Sequence, residues 1–104
     1  MIVEEKKRYL SNYRVVAAAL KRTEKQIFLY GESQEILNEQ KMYIATLSKM
    51  KEEISLVDNP LLREILTQKY LCGLKLNAIC DNLGYSLRQT IRLHKKALEL
   101  FKIL

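Results

Sequence analysis

The sequence predicts an all-α protein, and two observations carry this prediction. The 104 residues include only three Gly and one Pro, and they are rich in Leu, Lys, Glu and Gln, a composition that favours helix. Apolar residues also recur at steps of three and four over most of the chain, which is the period of an amphipathic helix. A chain of this length has room for one modest domain, or for a small domain with an appended helical arm.

The first half of the chain predicts two long helices. Residues 4–30 form one helical pattern that Gly31 is placed to end, and Ser33 is a candidate N-cap for the next helix. The second helix carries an a/d heptad seam: Ile36, Gln40, Tyr43, Leu47, Met50, Ile54 and Val57. Two arrangements fit this pattern. One is an antiparallel hairpin within the chain, and the other is a coiled coil in which the seam pairs with its copy in a second chain.

The sequence VDNPLL marks a boundary between this arm, residues 1–57, and a compact unit, residues 58–104. Pro60 has the fixed φ that suits a first helical turn, and it follows two candidate capping residues. Gly73 is placed to end that helix, a short helix follows, and Gly84 interrupts the pattern again. The sequence therefore predicts a helical arm followed by a compact three-helix unit.

The last third of the chain has the pattern of two helices joined by a tight turn. Gly84 can adopt the left-handed conformation that the turn needs, and Ser86 with Gln89 forms a candidate capping box for the next helix. Cys80 stands where the two helices approach closely, a position that favours a small residue. The arrangement is typical of a helix-turn-helix, whose second helix enters the major groove of DNA.

The second helix of this pair, from Ser86 to Leu104, divides into an inner stripe and an outer face. The residues expected to pack inward are Thr90, Leu93, Ala97 and Leu100. A carbonyl one turn back is expected to accept a hydrogen bond from the buried Thr90 hydroxyl. The first turns of a recognition helix lie deepest in the groove, so the residues expected to contact base edges are Arg88, Gln89 and Arg92. Those expected to contact phosphates are Tyr85, Ser86, Lys95 and Lys96.

The formal net charge of +6 is concentrated at the two ends of the chain. The segment Ser86–Leu104 holds five basic residues and one acidic residue, and Met1–Lys25 holds seven basic and three acidic. A basic cluster on a C-terminal helix suits a polyanion, nucleic acid before membrane, because Lys and Arg neutralise phosphates. A solvated helix face would carry the same charges, so charge alone leaves both interpretations open.

The run REILTQKYLCGLKLNAICDNLGYSLRQTIRLHKKAL, residues 63–98, resembles region 4, the C-terminal helix-turn-helix of bacterial sigma-70 factors. It is closer still to the small phage-encoded, sigma-like proteins grouped with late-transcription activators of Gram-positive hosts. The matching motifs are KYLCGL at 69–74, NLGYS at 82–86 and RLHKKAL at 92–98. The resemblance implies sequence-specific binding of duplex DNA in transcriptional control. One departure is that the helix before the turn lacks the family's usual cap at Lys75.

The partners that we expect are double-stranded DNA, RNA polymerase and a second copy of the chain, contacted through the arm. A complete sigma factor needs a further domain that opens the promoter, and the arm is too short to contain one. The alternative is a helical protein-interaction or packaging adaptor without independent sequence reading. Such an adaptor would be similar to a phage small terminase subunit or to a polymerase-binding protein.

Neither an enzyme nor a cofactor-binding or metal-binding protein is expected. The only His, His94, is predicted on the helix surface near phosphates, with no nucleophile and orienting carboxylate beside it. Cys72 and Cys80 lack metal-ligand spacing and are expected to be buried reduced thiols in a cytoplasmic protein. The longest apolar run, residues 15–20, is far too short for a membrane span.

In the arm, carboxylates are expected to be solvated and aromatic side chains to pack in the core or an interface.

Overall fold

Five α-helices and one π-helical turn form the regular structure of the chain in the computed structural model, which describes residues 1–104. The helices are α1 (Val3–Tyr30), α2 (Gln34–Ser55), α3 (Pro60–Leu66), α4 (Leu76–Leu83) and α5 (Leu87–Leu100). The π-helical turn, Thr67–Leu71, continues α3. The predicted all-α class is confirmed. None of the helices combines the length and the apolar character that a membrane span requires.

The helices α1 and α2 form an antiparallel hairpin within the chain. Gly31 ends α1 with a φ of 83°, a conformation that strains other residues, and Ser33 caps α2 by accepting a hydrogen bond from the Ile36 N–H at 3.2 Å. The seam of α2 packs on α1 in a buried cluster of Tyr13, Leu47 and Met50. Of the two arrangements that the sequence left open, this single chain adopts the intramolecular hairpin.

A larger core joins the base of the hairpin to the C-terminal helices. Its nine buried residues come from both sides of the predicted boundary: Leu10, Ile54, Val57, Leu62, Leu66, Tyr70, Ala97, Leu98 and Phe101. At the boundary itself, the Asn59 side chain accepts hydrogen bonds from the Leu61 and Leu62 N–H groups at 3.0 and 3.2 Å. The predicted boundary is therefore a capped turn, and the hydrophobic core continues across it.

The connection from α3 to α4 contains a feature that the sequence did not predict. The Cys72 N–H donates to the Thr67 carbonyl five residues earlier, at 3.0 Å, so the last turn before Gly73 is π-helical. Gly73 has a φ of 75°, and a Cβ at this position would lie 2.8 Å from Cζ of Arg14. The Arg14 guanidinium donates to a carbonyl of the π-helical turn at 3.3 Å. Gly73 thus lets an α1 side chain cap the end of this turn.

A buried carboxylate fastens the end of the chain to the hairpin. Glu53 of α2 is 1% exposed and accepts hydrogen bonds from the Tyr9 hydroxyl, the Lys49 ammonium at 2.8 Å and the Leu104 N–H at 2.7 Å. Burial raises the pKa of Glu53, but these three donors outweigh it and hold the pKa below its ordinary value. The expectation of solvated carboxylates in the arm is therefore wrong for Glu53.

Two further predictions differ from the structure. Cys72 is exposed because it follows the π-helical turn, whereas Cys80 is buried as predicted. Leu100, which we expected to pack inward, is exposed because α5 ends there, short of the predicted Leu104, and Phe101 turns into the core instead. Of the aromatic residues expected in the core or an interface, Phe28 and Tyr30 lie outside the core, exposed in the last turn of α1.

Candidate nucleic-acid interface

The turn between α4 and α5 has the geometry that the sequence predicts. Gly84 adopts the left-handed conformation, with φ of 75° and ψ of 24°, and its N–H donates to the Cys80 carbonyl at 2.9 Å. The next N–H, of Tyr85, donates to the same carbonyl at 3.1 Å. Ile79 and Cys80 of α4 are buried, and α4 has no side-chain cap at Lys75, as expected.

The helix α5 begins at a complete capping box. Ser86 Oγ accepts a hydrogen bond from the Gln89 N–H at 3.1 Å, and Gln89 Oε1 accepts one from the Ser86 N–H at the same distance. The Ser86 hydroxyl also donates to Gln89 Oε1. Bidentate recognition of adenine needs both the oxygen and the nitrogen of a carboxamide. With its oxygen occupied, Gln89 presents only its N–H donors, which suit a guanine edge or a phosphate.

The capping box is testable by its contribution to stability. Replacing Ser86 with Ala is expected to lower the free energy of unfolding by about 1 kcal/mol, because the Gln89 N–H loses its acceptor. Urea denaturation followed by circular dichroism measures this change. Ser48→Ala is the matched control, since Ser48 is exposed in the middle of α2 and should show no loss. Equal stabilities of the two variants would contradict the role of Ser86.

The inner side of α5 is partly as predicted. Thr90 and Ala97 are fully buried, and the Thr90 hydroxyl donates to the Ser86 carbonyl at 2.9 Å, one turn back. Leu93 is half-buried at the edge of the stripe. The remaining inner positions are Leu98 and, one turn after Thr90, His94.

The prediction of His94 on the helix surface is wrong. His94 is 6% exposed, because it lies four residues after Thr90 on the same side of α5. Its Nε2 is 2.7 Å from the hydroxyl of Tyr70 on the π-helical turn. Burial, the largest cause, together with the positive charges of Lys69 and Lys7, lowers the pKa of His94 to about 4. His94 is therefore neutral near pH 7, and its contact with Tyr70 joins α5 to the π-helical turn.

The outer face of α5 carries an unpaired basic surface. Its four basic side chains are Arg88, Arg92, Lys95 and Lys96, all exposed. None of them forms a hydrogen bond or an ion pair within the chain, whose two salt bridges both involve the hairpin. At about 100° per residue, Arg92 lies opposite the buried stripe, near the middle of this face. The only acidic residue of α5 is Glu99, in its last turn.

All seven residues that the sequence nominated for DNA contact are exposed, on the turn and the first three turns of one helix. They are Tyr85, Ser86, Arg88, Gln89, Arg92, Lys95 and Lys96. Their contacts with DNA stay a prediction. Sequence reasoning missed Ile91, which is 51% exposed at the edge of the same face. Its signal was an apolar residue off the inner stripe, and such a side chain suits a thymine methyl group.

The chemistry of this surface favours a polyanion. It is convex, it is basic, and its shallow depression of about 180 Å³ beside Tyr85 and Arg92 is too small to enclose a typical ligand.

Comparisons with models of known protein families, with curated proteins and with solved structures find no match to this chain.

Proposed function

We propose that the chain is a sequence-specific, double-stranded DNA-binding transcription regulator that reads the major groove with α5. The observation that supports this function is the outer face of α5, whose basic side chains are exposed and unpaired on a helix that starts at a capped turn. A single α-helix fits the major groove of B-DNA. In this proposal Arg88, Gln89 and Arg92 contact base edges, and Tyr85, Ser86, Lys95 and Lys96 contact phosphates.

The resemblance of residues 63–98 to sigma region 4 supports the same function from the sequence. It adds RNA polymerase as a candidate partner and phage transcription as the setting, with the cytoplasm of the host cell as the location. Specificity from one module of this size is limited, because a single recognition helix buries little surface. Two copies on two half-sites would provide the rest.

The test is DNA binding by a matched pair of variants. Selection from random duplexes first provides the preferred sequence, and fluorescence anisotropy then measures affinity. Removing three face residues, Arg88→Ala, Arg92→Ala and Lys95→Ala together, is expected to weaken binding by roughly a hundredfold or more. For the native chain, log K should fall with log salt at a slope of about −3 to −4, given about four phosphate contacts.

The control removes the same charge elsewhere. Arg8, Lys41 and Lys51 are exposed on the hairpin and make no side-chain hydrogen bond or ion pair, so their combined replacement with Ala should change affinity only a few-fold. If the face variant binds DNA as tightly as this control does, α5 does not read the groove and the proposal fails.

A packaging or interaction adaptor is the second candidate function, and the exposed apolar residues at the tip of the hairpin favour it. Stoichiometry separates the two functions. A ring of many subunits in light scattering would indicate packaging, whereas a monomer or dimer that selects one sequence would indicate the regulator.

A further inference from the structure

The two most exposed large apolar side chains of the molecule, Phe28 and Tyr30, lie at the tip of the hairpin. Phe28, Leu29 and Tyr30 are 87%, 61% and 83% exposed, and neither core cluster includes them. Three consecutive helical residues point in directions about 100° apart, so the tip is apolar around much of its circumference. Monomeric proteins rarely expose a large apolar patch, and such a patch usually marks an interface.

The tip is remote from the proposed DNA face. The Lys6 ammonium donates to the Glu99 carbonyl at 3.0 Å, so α5 lies beside the beginning of α1. From Lys6 to Phe28 the helix rises roughly 33 Å, at 1.5 Å per residue. A partner bound at the tip would therefore leave the outer face of α5 free.

Charges around the tip are divided between the two helices. The end of α1 is mainly basic and contains Lys21, Arg22, Glu24 and Lys25, whereas the loop and the start of α2 contain Glu32, Glu35 and Glu39. Arg22 and Glu39 pair with each other at 2.5 Å, and the remaining basic and acidic side chains have no ionic partner in the chain. One side of the tip is thus positive and the other negative.

We propose that the tip of the hairpin is a self-association surface that binds the tip of a second copy of this chain across a two-fold axis. In such a contact the same patch occurs on both sides, so the α1 side of one tip faces the α2 side of the other. Lys25 of each copy then approaches Glu35 of its partner, while Phe28 and Tyr30 of both copies pack around the axis. A like-to-like orientation would place basic against basic.

The size of the patch predicts a weak dimer. Aromatic side chains bury about 150–250 Å² each, so four rings and two leucines bury on the order of 1,000 Å² in total. This area is at the low end for specific interfaces, where association is transient. Charges of the tip nearly cancel, with three basic and four acidic residues, so an anionic lipid surface offers it no comparable attraction. The proposal holds whether or not α5 binds DNA.

Sedimentation velocity over a concentration series tests the apolar part of the interface. Native chain should change from monomer to dimer between roughly 5 and 500 μM, as for a small transient interface. The double variant Phe28→Gln, Tyr30→Gln should raise Kd at least tenfold with unchanged helicity, because neither side chain contacts the core. Val15→Gln with Met42→Gln is the control, since these side chains are 65% and 57% exposed elsewhere on the hairpin.

Charge reversal tests the two-fold orientation. Lys25→Glu alone and Glu35→Lys alone should each weaken self-association, whereas a mixture of the two variants should form a heterodimer and the double variant should dimerise again. A native chain that stays monomeric throughout overturns the proposal, and so does a dimer that the tip variants leave intact. Binding of the tip to phosphatidylcholine vesicles without self-association would assign it to membranes and overturn the proposal as well.

Discussion

Replacing Glu53 with Ala is expected to lower the free energy of unfolding by about 3 kcal/mol, a large part of the stability of a domain of this size. The carboxylate is the common acceptor for the Tyr9 hydroxyl, the Lys49 ammonium and the Leu104 N–H. Its removal leaves these donors without their acceptor and opens a cavity between α1 and α2. Loss of the Leu104 contact also releases the end of the chain from the hairpin.

Urea denaturation monitored by far-UV circular dichroism measures this loss. Two further variants, one conservative and one a control, show how much of it comes from the carboxylate. Glu53→Gln keeps the shape and one acceptor oxygen but removes the charge, so we expect a smaller loss of about 2 kcal/mol. Glu52→Ala is the control, because Glu52 is exposed one residue earlier and its side chain makes no hydrogen bond; its effect should stay within about 0.5 kcal/mol. A Glu53→Ala protein as stable as Glu52→Ala would show that the cluster contributes little.

Most of the helix boundaries followed from the sequence because the residues that determine them act locally. Gly31 and Gly84 adopt positive φ where a helix ends, and Ser33 and Ser86 bond to N–H groups three residues later. Pro60 occupies the first turn of α3, because its fixed φ suits the start of a helix. Each of these features depends on a few neighbouring residues, so a single sequence contains the information.

Two polar residues were wrongly predicted to be exposed, and their burial depends on partners far away in the chain. His94 is buried against Tyr70, 24 residues earlier, and Glu53 is buried against Tyr9 and Leu104, 44 and 51 residues away. Helical spacing identifies the apolar stripe, but a polar residue within it is tolerated only if a distant donor or acceptor meets it. The sequence pattern alone does not show whether such a distant donor or acceptor is present.

For the candidate site, the register of α5 could be predicted more completely than the state of each side chain. A capped start and a 3.6-residue period were enough to place Arg88, Arg92 and Lys95 on the outer face. The occupied oxygen of Gln89 was implicit in the predicted capping box, since the same amide cannot serve Ser86 and adenine together. The hydrogen-bond partner of His94, Tyr70, lies on the π-helical turn, which no local pattern in residues 67–71 indicated.

Acidification from pH 7 to pH 4 is expected to lower the free energy of unfolding by about 3 kcal/mol through His94 alone. The pKa of His94 in the folded chain is about 4, below the ordinary value of 6.5 given for an unfolded chain. Between these two values the unfolded chain binds a proton and the folded chain does not. The contribution of the neutral imidazole is therefore complete above about pH 6.5 and is lost progressively as the pH falls toward 4.

Unfolding by urea at several pH values from 7.5 to 4.0, for the native chain and for His94→Gln, isolates this effect. The native chain should lose stability across the range, and His94→Gln, although less stable at neutral pH, should have a flatter dependence. Tyr70→Phe retains the imidazole and should keep the slope. Because a protonated His94 would face Lys69 and Lys7, its charge separates α5 from the π-helical turn that supports it. Parallel pH profiles for native chain and His94→Gln would instead assign the acid sensitivity to the carboxylates, Glu53 first among them.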